Sequence, residues 1–128
     1  MPTPIVLVAE DTEGHRTLID LLLSPQGYEL AMVADGREAL EWLHDHTPDL
    51  AILDVDMPFL DGLEVARRMR ALARLREAKI IVLTALRDPA TLEGARLIKA
   101  DALVPKPLAG KDFRDIVAKV LAGERQPF

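Results

Sequence analysis

Apolar residues in this chain fall in short continuous runs: Ile5-Val6-Leu7-Val8-Ala9, Tyr28 to Val33, Leu50-Ala51-Ile52-Leu53, Ile80-Ile81-Val82-Leu83 and Ala102-Leu103-Val104. Runs this short, rich in Val, Ile and Leu and without alternation, predict strands buried on both faces, as in parallel sheets. The stretches between them carry helical spacing instead. Thr12 to about Ser24, with Leu18, Leu21 and Leu22 on one side, supplies a first helix. Asp35-Gly36-Arg37-Glu38 and Asp61-Gly62-Leu63-Glu64 each pair an acidic N-cap with a Glu three residues later, the signature of a capping box. Asp88-Pro89 sets a capping side chain before a proline at the first helical position, and Leu92, Ala95 and Ile98 follow on one face. Phe113, Ile116, Val117, Val120 and Leu121 form the apolar stripe of a last helix.

Five strands alternating with five helices call for parallel pairing through right-handed crossovers, and so for helices on both faces of an open sheet. The predicted fold class is α/β: a doubly wound (βα)5 three-layer sandwich. At 128 residues and 49 % apolar, the chain is the size of a single domain with a single core, expected over about residues 4–122 with a short tail at 123–128. It contains no cysteine, which removes disulfides, thiolate nucleophiles and zinc-thiolate sites. A formal charge of −5 argues against direct nucleic-acid binding. The absence of a long apolar run and of a basic leader at Met1-Pro2-Thr3-Pro4 predicts a cytoplasmic protein that does not enter a membrane.

Open α/β sheets bind ligands at the carboxyl ends of their strands. Those ends are Glu10-Asp11 after strand one, Asp54 and Asp56 after strand three, Thr84 after strand four and Lys106 after strand five. If Glu10, Asp11 and Asp54 converge, each like-charged pair costs about 4 kcal/mol at 4 Å and an effective dielectric near 20, so a cation must hold them together. Hard oxygen donors select Mg²⁺, with Mn²⁺ as second candidate, and Mg²⁺ bridges carboxylates to phosphate. In such a site Asp54 can attack phosphorus to form an aspartyl phosphate, while the Lys106 ammonium and the Thr84 hydroxyl meet the phosphoryl oxygens.

Taken together, Glu10-Asp11, Leu53-Asp54-Val55-Asp56-Met57-Pro58, Leu83-Thr84-Ala85 and Lys106-Pro107 resemble the motifs of the bacterial two-component response regulator receiver domain, over roughly residues 4 to 122. The resemblance implies a flavodoxin-like sheet in the order 2-1-3-4-5 and a cis Lys106-Pro107 peptide. It implies phosphorylation of Asp54 by a sensor histidine kinase or histidine phosphotransfer protein. It also implies Mg²⁺ held by Glu10, Asp11, Asp54 and the Asp56 backbone carbonyl. Such a domain is a switch in a phosphorelay rather than an enzyme with an external substrate, acting on a downstream protein, with self-association left open. The chain departs from the family at Leu103, which stands where receivers usually carry an aromatic residue coupled to the threonine. Leucine has neither the planar ring nor the hydroxyl for that coupling.

Two other readings compete. Asp54-Val55-Asp56 also fits the DxD pair of a haloacid-dehalogenase-type phosphatase, although there the DxD strand comes first and an acidic metal motif comes late. A phosphorylation-independent scaffold of receiver shape is the other. Elsewhere blander readings prevail. His44 and His46, two apart on a helix, do not face each other, and His15 is read as a surface residue. Arg67, Arg68, Arg70, Arg74 and Arg76 are read as the solvated side of an amphipathic helix. Trp42 is expected to pack with Ala39 against the sheet or to sit partly exposed.

Overall fold

The computed structural model describes residues 2–85 and 88–128. Among these residues five strands, β1 (Ile5–Ala9), β2 (Glu29–Val33), β3 (Leu50–Asp54), β4 (Lys79–Thr84) and β5 (Ala102–Pro105), alternate with five α-helices. The helices are α1 (Glu13–Leu23), α2 (Gly36–Asp45), α3 (Gly62–Ala71), α4 (Pro89–Leu97) and α5 (Gly110–Leu121). The strands pair in parallel in the order β2-β1-β3-β4-β5, as expected.

Each central strand sends alternate side chains into two separate apolar layers. Leu7, Ala51, Leu53, Ile80 and Val82 meet α2, α3 and α4 through Ala39, Leu43, Val65, Met69 and Ala95. Val6, Val8, Leu50, Ile52, Ile81 and Leu83 meet α1 and α5 through Ile19, Leu23, Phe113, Val117 and Val120. This two-sided burial is why the strands read as continuous apolar runs.

The local signals resolve unevenly. Asp35, Asp61 and Asp88 each cap their helix, accepting from the main-chain N–H of Glu38, Glu64 and Thr91. The boxes do not close reciprocally, however. Glu38 reaches back one residue further, to the Ala34 N–H, and Glu64 turns away to pair with Arg67 and Arg68. On α1 the expected stripe is displaced. Leu18 and Leu21 are exposed, while Ile19 and Leu23 are buried with Leu22 half-buried beside them. Positions 18/21/22 and 19/22/23 share the same i, i+3, i+4 spacing, and contact with the sheet and α5 selects the second.

The arginines of α3 and the turn after it are likewise not one solvated face. Arg67 and Arg68 are exposed. Arg70 instead donates to the carbonyls of Arg76, Ala78, Ile98 and Lys99, fastening α3 to the end of α4 and the approach to β4. Arg74 closes the carboxyl end of α2 by donating to the carbonyls of Leu43, His44 and His46. A planar guanidinium with five donors can satisfy several orphan helix-end carbonyls at once, which a stripe of charges in a sequence does not reveal. His46 stacks on the half-buried Trp42, ring centroids 4.5 Å apart, and forms no cluster with His44.

Candidate functional site

The strand order reverses between β1 and β3, which run side by side with Ala9 beside Leu53. The next residues, Glu10 and Asp54, therefore emerge together, both fully buried. Asp11 follows at the exposed rim. One carboxylate oxygen from each of Glu10, Asp11 and Asp54 lies within 4.8 Å of the others. Thr84, 1 % exposed, ends β4 one step beyond Leu83, the residue in register with Asp54.

Lys106 completes the cluster from the far side. The turn after β5 is anchored by the Lys106 N–H, which donates to the Thr84 carbonyl at 2.9 Å, and the Lys106-Pro107 peptide is cis as expected. The Lys106 ammonium donates to Asp54 Oδ2 at 3.0 Å. It also stands 2.8 Å from Glu10 Oε2, so one ammonium is shared between two buried carboxylates.

These neighbours set the protonation of the site. Burial pushes the Asp54 carboxyl up from 3.8 to about 6, with the charge of Glu10 adding to the rise and Lys106 and the Asp56 N–H opposing it. Burial acts upward on Glu10 as well, but Lys106, Asp54 and His15 outweigh it and hold Glu10 below the usual carboxylate range. Desolvation acts downward on Lys106, and the two carboxylates overcome it and raise its pKa. Of these two buried acids beside one ammonium, Asp54 is therefore the one that takes up a proton first as the pH falls.

Three converging carboxylates, two of them buried and sharing a single ammonium, fit a small hard cation such as Mg²⁺. The β3–α3 loop, residues 55–61, closes over Asp54: the Asp56 N–H donates to Asp54 Oδ1 at 3.1 Å. A Cβ at Gly62 would stand 2.5 Å from the Asp54 carbonyl oxygen, so only glycine lets α3 begin there.

Two contributors carried no signal in the sequence. His15 is exposed, as expected, yet its Nδ1 lies 3.1 Å from Glu10 Oε1 and 3.5 Å from Lys106 Nζ. Arg16 donates to the Glu10 carbonyl at 2.7 Å. Both sit five and six residues along the chain from Glu10, where the first turn of α1 returns over the end of β1. Leu103 is buried in the layer that also holds Ala95 and Ile98.

Comparison with known proteins agrees with this geometry. The family model described as the response regulator receiver domain matches residues 6–118. The transcriptional regulatory protein AfsQ1 of Streptomyces coelicolor is 38 % identical over 124 residues, covering 96 % of this chain and 54 % of that protein. The sporulation initiation phosphotransferase F of Bacillus subtilis is 28 % identical, covering 91 % of this chain and 92 % of that one. The chain likewise spans about half the length of other curated relatives, among them the response regulator MprA of Mycolicibacterium vanbaalenii, 42 % identical over 118 residues. Among solved structures, the receiver domain of a sensor histidine kinase from Pseudomonas aeruginosa, with a magnesium ion coordinated in its active-site cleft, superposes with a TM-score of 0.85. It is 26 % identical and covers 94 % of this chain and 99 % of that one.

Proposed function

Because the chain belongs to the response regulator receiver domain family, whose members are signalling switches, we propose that it accepts a phosphoryl group on Asp54 in a Mg²⁺-dependent reaction and changes its surface in consequence. The observation that carries this reading is the convergence of Glu10, Asp11 and Asp54 with Lys106 at the ends of β1, β3 and β5.

Glu10, Asp11, Asp54 and the Asp56 backbone carbonyl would hold the cation, Mg²⁺ before Mn²⁺. When bound, it offsets charge on the phosphoryl oxygens. Asp54 Oδ attacks phosphorus in line as the phosphorus–nitrogen bond of a phosphohistidine donor breaks, and the freed imidazole retains the electron pair. Attack requires the ionised carboxylate, the form that predominates above the raised Asp54 pKa of about 6. Lys106 exchanges its contact with Asp54 for one with a phosphoryl oxygen, and the Thr84 hydroxyl donates to another. Thr84 is thereby drawn toward Asp54, while Leu103, lacking a ring, can respond by packing alone. Later attack of water on phosphorus restores the Asp54 carboxylate and releases inorganic phosphate.

The partner on the donor side is a sensor histidine kinase or histidine phosphotransfer protein of the cytoplasm, and the receiver acts on an output segment or a downstream protein. One domain over residues 1–128 is sufficient for the chemistry. The family match, and the acidic pair preceding Asp54 in the chain, favour the switch over a haloacid-dehalogenase-type phosphatase.

Intact-protein mass spectrometry after incubation with acetyl phosphate tests the reading. One Mg²⁺-dependent phosphoryl adduct, absent in Asp54→Asn, is expected. No adduct under any condition would leave the phosphorylation-independent scaffold, and turnover of a phosphatase substrate would restore the enzyme.

A further inference from the structure

Phe59, in the middle of the β3–α3 loop, combines two features that are each unfavourable in isolation. The residue is 69 % exposed, and its backbone lies in the left-handed region at φ +69. A bulky side chain there strains the chain and persists only where surrounding contacts impose it. Those contacts come from the first turn of α2. The Arg37 guanidinium lies 3.7 Å from the centroid of the Phe59 ring, a cation–π stack. One residue back on α2 and one residue on along the loop the backbones nearly touch, because a Cβ on Gly36 would fall 2.2 Å from the Leu60 carbonyl oxygen. Two successive residues of α2 therefore grip two successive residues of the loop. The start of α2 is itself held firm, with Asp35 capping the Glu38 N–H and Glu38 accepting from the Ala34 N–H.

The gripped loop is the one that reaches Asp54 through the Asp56 N–H and returns to it at Gly62. We propose that Arg37 and Phe59 are positioning residues: their stack holds the β3–α3 loop in the strained form that sets the Asp54 carboxylate and the Asp56 main chain for Mg²⁺. The proposal rests on the metal-binding reading above. Neither side chain touches the cation; both act through the loop. The strain at Phe59 is the physical reason a clamp is needed, since without the stack the loop relaxes to other conformations and Mg²⁺ binding must then reorder it.

Isothermal titration of the full chain with MgCl₂, together with thermal melts in EDTA, provides the test. Phe59→Gly accepts the left-handed backbone without strain, so its melting temperature without metal should equal or exceed that of the native chain, while its Mg²⁺ affinity falls three- to ten-fold. Arg37→Ala should lose affinity by a similar factor, the double variant no more than either single one, and Phe59→Tyr and Arg37→Lys, which keep a ring and a cation, should bind nearly as the native chain does. Native affinity in either Phe59→Gly or Arg37→Ala, or losses that add in the double variant, would overturn the clamp. A parallel fall of stability and affinity in Phe59→Gly would reduce the stack to ordinary packing and overturn it equally. Asp11→Ala separates the two levels. If it binds Mg²⁺ normally the metal reading and the clamp both fall, whereas loss in Asp11→Ala with native binding in Arg37→Ala removes the clamp alone.

Discussion

Lys106 and Asp54 meet across an intervening strand. Their strands, β5 and β3, are separated by β4, yet Lys106 Nζ lies 3.0 Å from Asp54 Oδ2. The contact depends on the turn after β5 folding back over the end of β4, where the Lys106 N–H meets the Thr84 carbonyl. The ammonium is the countercharge that two fully buried carboxylates share among the described residues, with a side chain only 14 % exposed.

Replacing it should therefore be felt first in the metal-free protein. Lys106→Ala leaves Glu10 and Asp54 facing each other without their ammonium, and should destabilise the domain by about 1–3 kcal/mol at pH 7 in EDTA. Saturating Mg²⁺ should recover most of that loss, because a divalent cation supplies the missing charge. Urea unfolding with EDTA or with Mg²⁺ checks both halves, and equal losses in the two conditions would contradict the assignment.

The pH dependence of the metal-free protein follows from Asp54. Its folded pKa of about 6 lies above 3.8, so the folded chain holds this proton more tightly than the unfolded one does. The resulting stabilisation is complete below about pH 4 and is lost as the pH rises through about 6. Glu10, held low, contributes in the opposite sense, and its share is lost as the pH falls through its folded pKa. Asp54→Asn removes the first effect. In EDTA at pH 7–8 it should be more stable than the native chain, by on the order of 1–3 kcal/mol, and the difference should vanish near pH 4. Chemical denaturation across that range measures it.

Metal removal should have its own signature. At a Mg²⁺ concentration of 100 times Kd, binding to the folded state adds about 2.7 kcal/mol of stability. Thermal melts should show a rise with Mg²⁺ in the native chain that is much reduced in Asp11→Ala. An identical rise in both would place the cation elsewhere.

The arginines should divide in two. Arg70→Ala strips donors from four main-chain carbonyls and Arg74→Ala from three, so each should cost about 1–3 kcal/mol. Arg67→Ala and Arg68→Ala, which break exposed pairs with Glu64, should each cost under about 0.5 kcal/mol. Equilibrium unfolding of the four variants ranks them.

Much of this molecule is legible along the chain because its determinants are local. Uninterrupted Val, Ile and Leu runs mark strands covered on both faces, and Asp35, Asp61 and Asp88 start their helices through a hydrogen bond that spans three residues. The site residues are legible for a related reason: in a parallel sheet every strand delivers its last residue to the same edge, so listing strand ends already gathers Glu10, Asp11, Asp54, Thr84 and Lys106. What lies outside that logic is contact between segments distant in sequence. Which side of α1 turns inward, between stripes of equal spacing, is decided by the sheet and α5. That Arg70 and Arg74 close helix ends while Arg67 and Arg68 face water is decided by which carbonyls α2 and α4 leave open nearby. That His15 reaches Glu10, and that Arg37 grips Phe59, depends on where one helix start meets another loop. The elements, their alternation and the residues at the carboxyl edge of the sheet were thus readable along the chain, since those follow from neighbours a few positions apart. How those residues share charge and what holds their loops comes from the folded arrangement, since both depend on distances of a few ångströms between atoms that the chain places dozens of residues apart.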